Sequence, residues 1–384
     1  MSTDRFQLVG SLLRPANLLA YKNQIEVRDD IQYPFYDAFE GYQETETSEI
    51  KKIVARQLEA SIPVITDGEY SRSMWHLDFV WGFEGIERFI ADNGYTFQDF
   101  GIRITKPLSG KNHHFITLFK QLKELAGDHP TKLTVWGAAH AFTELAIMNG
   151  IYGDDQVYHT QEELKEGLIK AYKEFLVEYK DAGGEIIQFD DCLWELFSED
   201  NDQSFFASGK EGLEELADTF IGINNEIADY AHQLGLKVWT HNCRGNYESR
   251  HAAGGSYESI AEKFLRDQHY DRFFLEWDDD RAGDLTALAV LKDRPEVEVV
   301  LGLLSSKVAH LDDEARIYQL LEKASTILPK ERLYLSHQCG FASCDCGNEL
   351  SAEQQWEKVA QGQAIAKTIF NELLKTREHC PRHR

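Results

Sequence analysis

Lys237-Val-Trp-Thr-His-Asn-Cys243 is an apolar, strand-like segment that closes on two residues able to bind a metal. Side chains two positions apart in a β-strand point to the same face, so His241 and Cys243 can direct an imidazole nitrogen and a thiolate at one ion. Two other strand-like segments end in further candidate ligands, Glu276 and Cys339. Ligands from the ends of separate strands are typical of a catalytic zinc site rather than a compact zinc finger. The sequence therefore predicts one Zn²⁺ that takes part in chemistry.

Apolar strand-like segments alternate with amphipathic helix-like segments along the whole chain. This alternation is typical of a parallel sheet covered by helices, and about eight strands are what a closed (β/α)8 barrel, the TIM barrel, requires. We therefore predict an α/β fold of that architecture, with residues 1–384 forming a single domain. The predicted strands are Phe6–Gly10, Pro63–Asp67, Lys132–Gly137, Glu185–Asp190, Leu236–Thr240, Arg272–Trp277, Val297–Leu304 and Arg332–His337.

The segments between the predicted strands carry local helix signals, with one exception. Thr160 and Glu163 have the spacing of a capping box, and a second helix is predicted from about Leu213 to Leu234. Residues 72–114 are rich in aromatic residues and glycine and fit no single helix. We predict that they form an insertion after the second strand, with a hairpin around Leu108-Ser-Gly-Lys111.

Composition restricts the classes of partner and the compartment. The net charge of −25 argues against a nucleic-acid partner, because phosphate contacts need a surplus of lysine and arginine on some face. The chain has no run of about 18 apolar residues to span a membrane and no secretory pattern at its start, which predicts a cytoplasmic protein. Six cysteines among 384 residues are too few for a disulfide scaffold. Small-molecule substrates are the expected partners; the oligomeric state stays open.

Four cysteines lie outside the predicted ligand set. Cys192 is expected to pack beneath the turn at Asp190 and Asp191, and Cys380 lies in a basic tail that is expected to be mobile. Cys344 and Cys346 follow Cys339 closely enough to offer an alternative, a local structural zinc site made by these three thiols. The acidic run 278–280 is expected to be a solvated loop or a cap for the next helix rather than a second metal site.

A (β/α)8 barrel carries its active site at the carboxyl ends of its strands. In the predicted barrel that mouth would receive, in chain order, Gly10-Ser11, Asp67-Gly-Glu69, Trp136, Asp190-Asp191, His241 with Cys243, Glu276, Ser305 to Lys307, and Cys339. The set combines metal ligands, acidic side chains and an aromatic surface. It suits a small amino acid that carries a thiol, together with an aromatic co-substrate.

At these residues the chain resembles the C-terminal catalytic barrel of cobalamin-independent methionine synthase, and most closely the short, single-barrel relatives of that enzyme. The resemblance covers nearly the whole chain in the family's order. It implies that His241, Cys243, Glu276 and Cys339 are the ligands of one zinc ion. It rests on Val9-Gly-Ser11, Asp67-Gly-Glu69, Ile187-Gln-Phe-Asp-Asp191, His241-x-Cys243-x-x-Asn246, Glu276 and His337-Gln-Cys-Gly340.

The resemblance also implies the substrates and their binding residues. Ser11, Glu69 and Asp190 match the positions that hold the carboxylate and amine of homocysteine, while Trp136 and Arg103 match positions that contact the pterin and the folate. The chemistry agrees, because a free thiol with a pKa of about 8.5 is largely protonated at neutral pH and coordination to zinc removes that proton. The implied reaction is methyl transfer from 5-methyltetrahydrofolate, or a related donor, to homocysteine.

The chain departs from the family's pattern at three places. Where the family carries a histidine that protonates the departing pterin, the matching stretch here is Leu303-Leu-Ser-Ser-Lys-Val308, which makes Lys307 the candidate proton source. Arg244-Gly245 replaces bulkier residues after the metal-binding cysteine. The family's N-terminal barrel has no counterpart, so the donor can be a different methyl carrier.

Two alternative functions remain open at the level of the sequence. One is zinc-dependent alkyl transfer to another thiol, such as a coenzyme thiol, or from a corrinoid protein or a methylated thiol. The other is a non-catalytic zinc-binding barrel. Glu69 and Asp190 favour homocysteine over the first, because a thiol without an amine does not need them. The polar strand ends disfavour the second, because buried polar groups without a function reduce stability.

Overall fold

A parallel β-sheet forms the centre of the computed structural model, which describes residues 5–90, 100–198 and 209–378. Six strands pair in chain order, each parallel to the next, so the α/β prediction is confirmed. Five of them are buried along nearly their full length, as expected of strands covered on both faces. These strands are β3 (Lys132–Trp136), β4 (Ile186–Asp190), β5 (Lys237–Asn242), β6 (Arg272–Glu276), β7 (Glu298–Leu304) and β8 (Leu333–His337).

The segments predicted as the first two strands lie at the two edges of this sheet, but each forms a single β-bridge rather than a strand. Phe6 forms a parallel bridge with Leu335 in β8, and Ile65 forms one with Thr131, directly before β3. The loops that follow the first and second segments also contact each other: the backbone N–H of Leu12 donates a hydrogen bond to the carbonyl of Gly68 at 3.0 Å. A small cluster separate from the main core contains one side chain from each of seven of the eight segments: Val9, Val64, Ile186, Trp239, Phe274, Val300 and Tyr334.

Helices cover the outside of the sheet and follow the local signals in the sequence. The capping box at Thr160 and Glu163 is present with both of its hydrogen bonds at the start of α6. The helix predicted from about Leu213 to Leu234 is found as α7, four residues longer at its start. The α-helices are α1 (Ala16–Glu26), α2 (Tyr42–Glu59), α3 (Leu77–Trp81), α4 (His114–Ala126), α5 (Ala138–Phe142), α6 (Gln161–Asp181), α7 (Gly209–Gln233), α8 (Glu314–Ile327) and α9 (Ala352–Glu378).

The region 72–114 contains helix α3 and a separate antiparallel pair of strands, β1 (Glu84–Ile90) and β2 (Phe100–Ser109). The predicted hairpin around Leu108-Ser-Gly-Lys111 is wrong, because β2 ends at Ser109 and is followed by helix α4 rather than by a second strand. Gly110 serves a different purpose, since a Cβ atom there would lie 1.9 Å from the carbonyl oxygen of Ala171 in α6. The glycine permits the chain to pass close to that helix. The connection between β1 and β2 lies outside the described residues, as does Cys380.

Among the described residues, no helix is both long enough and apolar enough to cross a bilayer. The parallel pairing has a consequence for function, because it brings the carboxyl ends of β3 to β8 to one edge of the sheet. Asp190 at the end of β4 stands opposite His241 in β5, and Trp136 at the end of β3 stands opposite Asp190. Residues predicted from separate segments therefore meet at that edge.

Candidate metal centre and substrate cavity

A cavity of about 740 Å³ opens at the carboxyl ends of the strands. Its wall combines thiols, acidic groups and aromatic rings, as expected for a site that binds a polar substrate beside an apolar one. Seven of the ten predicted site residues contribute to that wall: Ser11, Glu69, Trp136, Asp190, His241, Cys243 and Cys339. Glu276, Lys307 and Arg103 do not.

The end of β5 supplies the centre of the site. His241 and Cys243 are buried, at 3% exposure each, and the thiol of Cys192 in the loop after β4 lies 3.4 Å from that of Cys243. The ligand atoms of these three residues lie within 4.8 Å of one another. Among the described residues, they form the one group of three or more histidine, cysteine or acidic side chains that is close enough to hold a metal ion. Cys192 was predicted to pack beneath the turn after β4, which is wrong, since its side chain reaches the cavity.

Cys339 joins the site from the other side. The neighbouring Cys243 thiol and burial raise the pKa of the Cys339 thiol, while His241 lowers it, although the Cys339 sulfur is not part of the group of ligand atoms that lie within 4.8 Å of one another. Asn246 holds the two loops together, because its side-chain amide donates to the carbonyl of Gly340 at 2.8 Å and to the Ser343 hydroxyl at 3.1 Å. Three of the four predicted ligands therefore line one cavity, and two of them, His241 and Cys243, belong to the group close enough to hold a metal. The Cys346 thiol and burial raise the pKa of Cys344, and among the described residues neither of these two thiols forms a metal-holding group with Cys339.

Glu276, the fourth predicted ligand, lies behind this group in a set of ion pairs. One of its oxygens accepts a hydrogen bond from Arg281 at 3.0 Å, and the other accepts one from the backbone N–H of Arg244 at 2.9 Å. Lys307 places its ammonium 2.8 Å from Asp278 and 3.8 Å from Glu276. The carboxylate is thus neutralised by cations, and both its role as a ligand and the role of Lys307 as a proton source stay predictions. Asp279 caps the short helical turn that follows, as the cap prediction for this acidic run requires.

The donor atoms suit zinc. Imidazole and thiolate are its preferred ligands in proteins, and two thiolates bound at about 2.3 Å to one tetrahedral zinc lie about 3.8 Å apart. The 3.4 Å between the thiols of Cys192 and Cys243 is close to that spacing. The carboxylate of Asp190, 3.4 Å from the His241 Nδ1 atom, supplies the partner that commonly orients a metal-binding imidazole.

Acidic groups line the cavity next to these thiols. Glu69 is 4% exposed and accepts a hydrogen bond from the Thr134 hydroxyl at 2.7 Å, and burial raises the pKa of its carboxyl despite the nearby Arg72 guanidinium. Asp190, 6% exposed, accepts a hydrogen bond from the Gln188 amide at 2.7 Å. Two buried carboxyl groups in one cavity favour a cationic partner such as an ammonium group.

Ser11 lies on the opposite side of this acidic pair, against the loop after β8. Its hydroxyl oxygen accepts a hydrogen bond from the Ala342 backbone at 3.3 Å, so its own proton remains available to a ligand. Close packing holds it there, because a Cβ atom at Gly340 would lie 1.9 Å from the Ser11 hydroxyl oxygen. Glycine at that position is therefore required by the contact between the first segment and the β8 loop.

Aromatic rings form the remaining wall. Trp136 is fully buried and makes edge contacts with the rings of His76 and His140, at 4.8 and 5.2 Å between centroids. Trp75 lies 6.3 Å from Trp136 and is only partly buried. The Trp75 ring is therefore more accessible to a ligand than the ring of Trp136, the tryptophan predicted from the sequence. Arg103 is exposed on β2 and lies 4.9 Å above the ring of Phe89, which lines the cavity.

Glu144 is a cavity residue that the sequence did not indicate. It lies in a π-helical segment, Thr143–Met148, and burial raises its pKa from 4.5 to about 7. The neighbouring His140 gives no compensating charge, since burial lowers its pKa well below 6.5. The one sequence signal for Glu144 is that an acidic residue occurs a few positions after the third predicted strand.

Replacing Glu144 with glutamine should stabilise the protein at high pH but not at low pH. A raised pKa means that the native state prefers the protonated form, so wild-type stability falls as the pH rises from about 4.5 to about 7. A shift of this size corresponds to at most about 3 kcal/mol, and because the side chain is 30% exposed we expect a gain of about 1–2 kcal/mol at pH 8. Urea unfolding at pH 5 and pH 8 measures it. Glu185→Gln, at an exposed carboxylate, is the control that should show no comparable gain.

Comparison with protein families gives a match over most of the chain. The family described as the catalytic domain of cobalamin-independent synthase matches residues 22–361. Two uncharacterized proteins of Bacillus subtilis (strain 168) are similar over 337 residues, which are 86% of this chain and 87% of each relative. They are YxjH, at 35% identity, and YxjG, at 32% identity.

Two solved structures are similar over nearly the full length. A Listeria monocytogenes protein, provisionally assigned as a vitamin-B12-independent methionine synthase, has a TM-score of 0.68 and 29% identity, with 94% of this chain and 96% of that chain covered. A B12-independent methionine synthase from Shewanella sp. W3-18-1, solved with selenomethionine, also has a TM-score of 0.68, at 19% identity. The comparison covers 98% of this chain and 99% of that one. At that identity the Shewanella structure shows the shared fold alone.

Proposed function

The chain belongs to the family of cobalamin-independent synthase catalytic domains, and we propose that it is a zinc-dependent methyltransferase acting on homocysteine. In this proposal the methyl group of 5-methyltetrahydrofolate, or of a related donor, passes to the homocysteine thiol and gives methionine. The fold we propose is a closed (β/α)8 barrel of one domain. The bridges of Phe6 and Ile65 to the two edges of the six-stranded sheet support that closure.

One observation carries the proposal: thiols and an imidazole meet beside two buried carboxyl groups in one cavity. His241 and Cys243 belong to the group close enough to hold a metal, and Cys339 lines the same cavity, so these three supply a donor set for zinc, while Glu69 and Asp190 supply negative charge for an amine. A thiol substrate without an amine would require only the zinc-binding residues and not the two carboxyl groups. The substrate that uses both is an amino acid with a thiol side chain.

The residues of the chain position homocysteine for an in-line displacement. Glu69 and Asp190 bind its ammonium group, and the Ser11 hydroxyl donates to its carboxylate. A zinc ion held by the thiols and His241 would favour the thiolate form of the substrate sulfur at neutral pH. Fixing that sulfur against the donor carbon removes several kcal/mol of barrier. Trp136, Trp75 and the Phe89 ring beneath Arg103 offer the aromatic surface for the methyl donor.

Lys307 is better explained as a charge partner of Glu276 and Asp278 than as a proton source. Replacing Lys307 with methionine should lower the free energy of unfolding by about 3 kcal/mol, because the buried carboxylates of Glu276 and Asp278 would lose a cationic partner. The methyl-transfer step should keep its pH dependence. Urea unfolding and single-turnover rates between pH 6 and 9 measure both. A pH profile that loses its alkaline limb in the variant would restore the lysine as the acid.

A turnover assay tests the proposed function directly. Zinc-loaded protein is mixed with homocysteine and one donor at a time: monoglutamyl methyltetrahydrofolate, the polyglutamyl form, methylcobalamin or a methylated thiol. Methionine formed from either folate supports the proposal. Methionine formed only from methylcobalamin or a methylated thiol supports the alternative donor classes. Alkylation of a coenzyme thiol in preference to homocysteine would sink the proposal that homocysteine is the acceptor.

A further inference from the structure

The metal centre contains a thiol outside the ligand set that the family resemblance implies, and we propose that Cys192 binds the same metal ion as His241, Cys243 and Cys339. The inference rests on the proposed function only in assuming that this site holds zinc. It changes the expected ligands from one imidazole, two thiolates and a carboxylate to one imidazole and three thiolates.

The position of Cys192 is the first support. It follows Asp190 and Asp191 at the end of β4, and the parallel pairing of β4 with β5 sets this loop against Cys243. The two sulfur atoms lie 3.4 Å apart, and Cys192 belongs with His241 to the group of ligand atoms that lie within 4.8 Å of one another. The spacing of the two sulfurs is therefore close to the roughly 3.8 Å expected of two thiolates on one tetrahedral zinc.

The state of Glu276 is the second support. Its two oxygens are engaged by the Arg281 guanidinium and by the Arg244 backbone, with Lys307 nearby. A hydrogen bond to a charged group contributes about 1.5–3 kcal/mol, so moving this carboxylate onto the metal would give up a strong interaction, although Arg281 would keep its ion pair with Asp279. Cys192 needs no such rearrangement.

Exposure separates Cys192 from the other ligands. His241, Cys243 and Cys339 are 3%, 3% and 6% exposed, whereas Cys192 is partly exposed and lines the cavity. A catalytic zinc site needs one position that a substrate can take. Cys192 is the most exposed of the four, so it is the ligand that we expect a substrate thiol to displace.

Zinc K-edge X-ray absorption on the zinc-loaded protein, without substrate or donor, counts the bound sulfurs. We expect three in the wild type, two in Cys192→Ser and Cys192→Ala, and three in both Glu276→Gln and Cys346→Ser. Cys346 is an exposed thiol, which makes its variant the matched control. Zinc affinity, measured by competition with a coloured chelator, should fall at least tenfold in the Cys192 variants and less than threefold in Glu276→Gln. Two sulfurs in the wild type, or three in either Cys192 variant, would overturn the proposal.

Alkylation of the wild-type protein gives a second test that does not depend on how the variants fold. Zinc should protect Cys192 from iodoacetamide by at least tenfold, as measured by mass spectrometry, and should leave the labelling of Cys346 unchanged. Equal labelling of Cys192 with and without zinc contradicts the proposal. Neither of these two measurements depends on turnover. If the protein forms methionine but its zinc binds only two sulfurs, this inference is wrong and the proposed function stands. If the zinc binds three sulfurs but no methionine is formed, the proposed function is wrong and this inference stands.

Discussion

Replacing Cys339 with serine is expected to lower zinc affinity by more than about 100-fold and to abolish methylation of homocysteine. The residues that merely orient zinc ligands contribute about 10–100-fold to metal affinity, so the loss of a direct thiolate should exceed that range. A serine hydroxyl is a much poorer ligand for zinc than a thiolate. Cys339 lines the same cavity as His241 and Cys243, and the Cys243 thiol is close enough to raise its pKa. Zinc content after dialysis against a chelator, together with methionine formation, measures both effects.

Cys344→Ser is the matched control for that variant. Cys344 is buried at 4% exposure in the same loop and also lines the cavity, but the pKa of its thiol is raised by Cys346 and by burial, not by His241 or Cys243. We expect this variant to keep its zinc and its activity. Stoichiometric zinc and full activity in the Cys339 variant would refute the ligand assignment; zinc loss in both variants would point to damage to the loop as a whole.

Replacing Glu69 with glutamine should raise the half-saturating concentration of homocysteine about 100-fold and leave zinc affinity unchanged. The substitution preserves the size of the side chain and its hydrogen bond from Thr134, while it removes the charge that faces the substrate ammonium. Loss of one member of a buried charge pair costs about 3 kcal/mol, and about 1.4 kcal/mol corresponds to a factor of ten in binding. Isothermal titration with homocysteine on the zinc-loaded protein measures the affinity without a methyl donor.

Glu46→Gln provides the comparison for Glu69→Gln. Glu46 is also a buried carboxyl, and burial raises its pKa to about 7, but it lies in α2, where Tyr36 hydrogen-bonds it away from the cavity wall. Its substitution should leave homocysteine binding unchanged. An affinity that is unaltered in Glu69→Gln would remove the proposed role of this residue, and equal losses in the two variants would indicate a general effect of lost buried charge.

The sequence by itself determined the order and type of the elements from β3 to β8, but not the strands β1 and β2, and the strands predicted at 6–10 and 63–67 form only single bridges. The six strands β3 to β8 occur within one or two residues of their predicted bounds, because strands buried on both faces leave nearly continuous apolar runs in the sequence. The capping box at Thr160 and Glu163 was predictable because both of its hydrogen bonds join residues three positions apart. His241 and Cys243 were predictable as a pair for the same reason, since their shared face follows from the period of a strand.

Tertiary structure alone decided which groups from different segments touch. The pairing of β4 with β5 brings Cys192 next to Cys243. Glu276 forms ion pairs with Arg281 and Lys307 and does not line the cavity. Gly110 packs closely against helix α6 and does not form a hairpin turn. The physical reason is that periodicity sets the face on which a side chain lies, whereas its contacts depend on the distance and orientation of backbone segments far apart in the chain. A carboxylate or thiol at a strand end is therefore visible in the sequence, but the choice between a metal and a neighbouring cation is made only once the segments have packed.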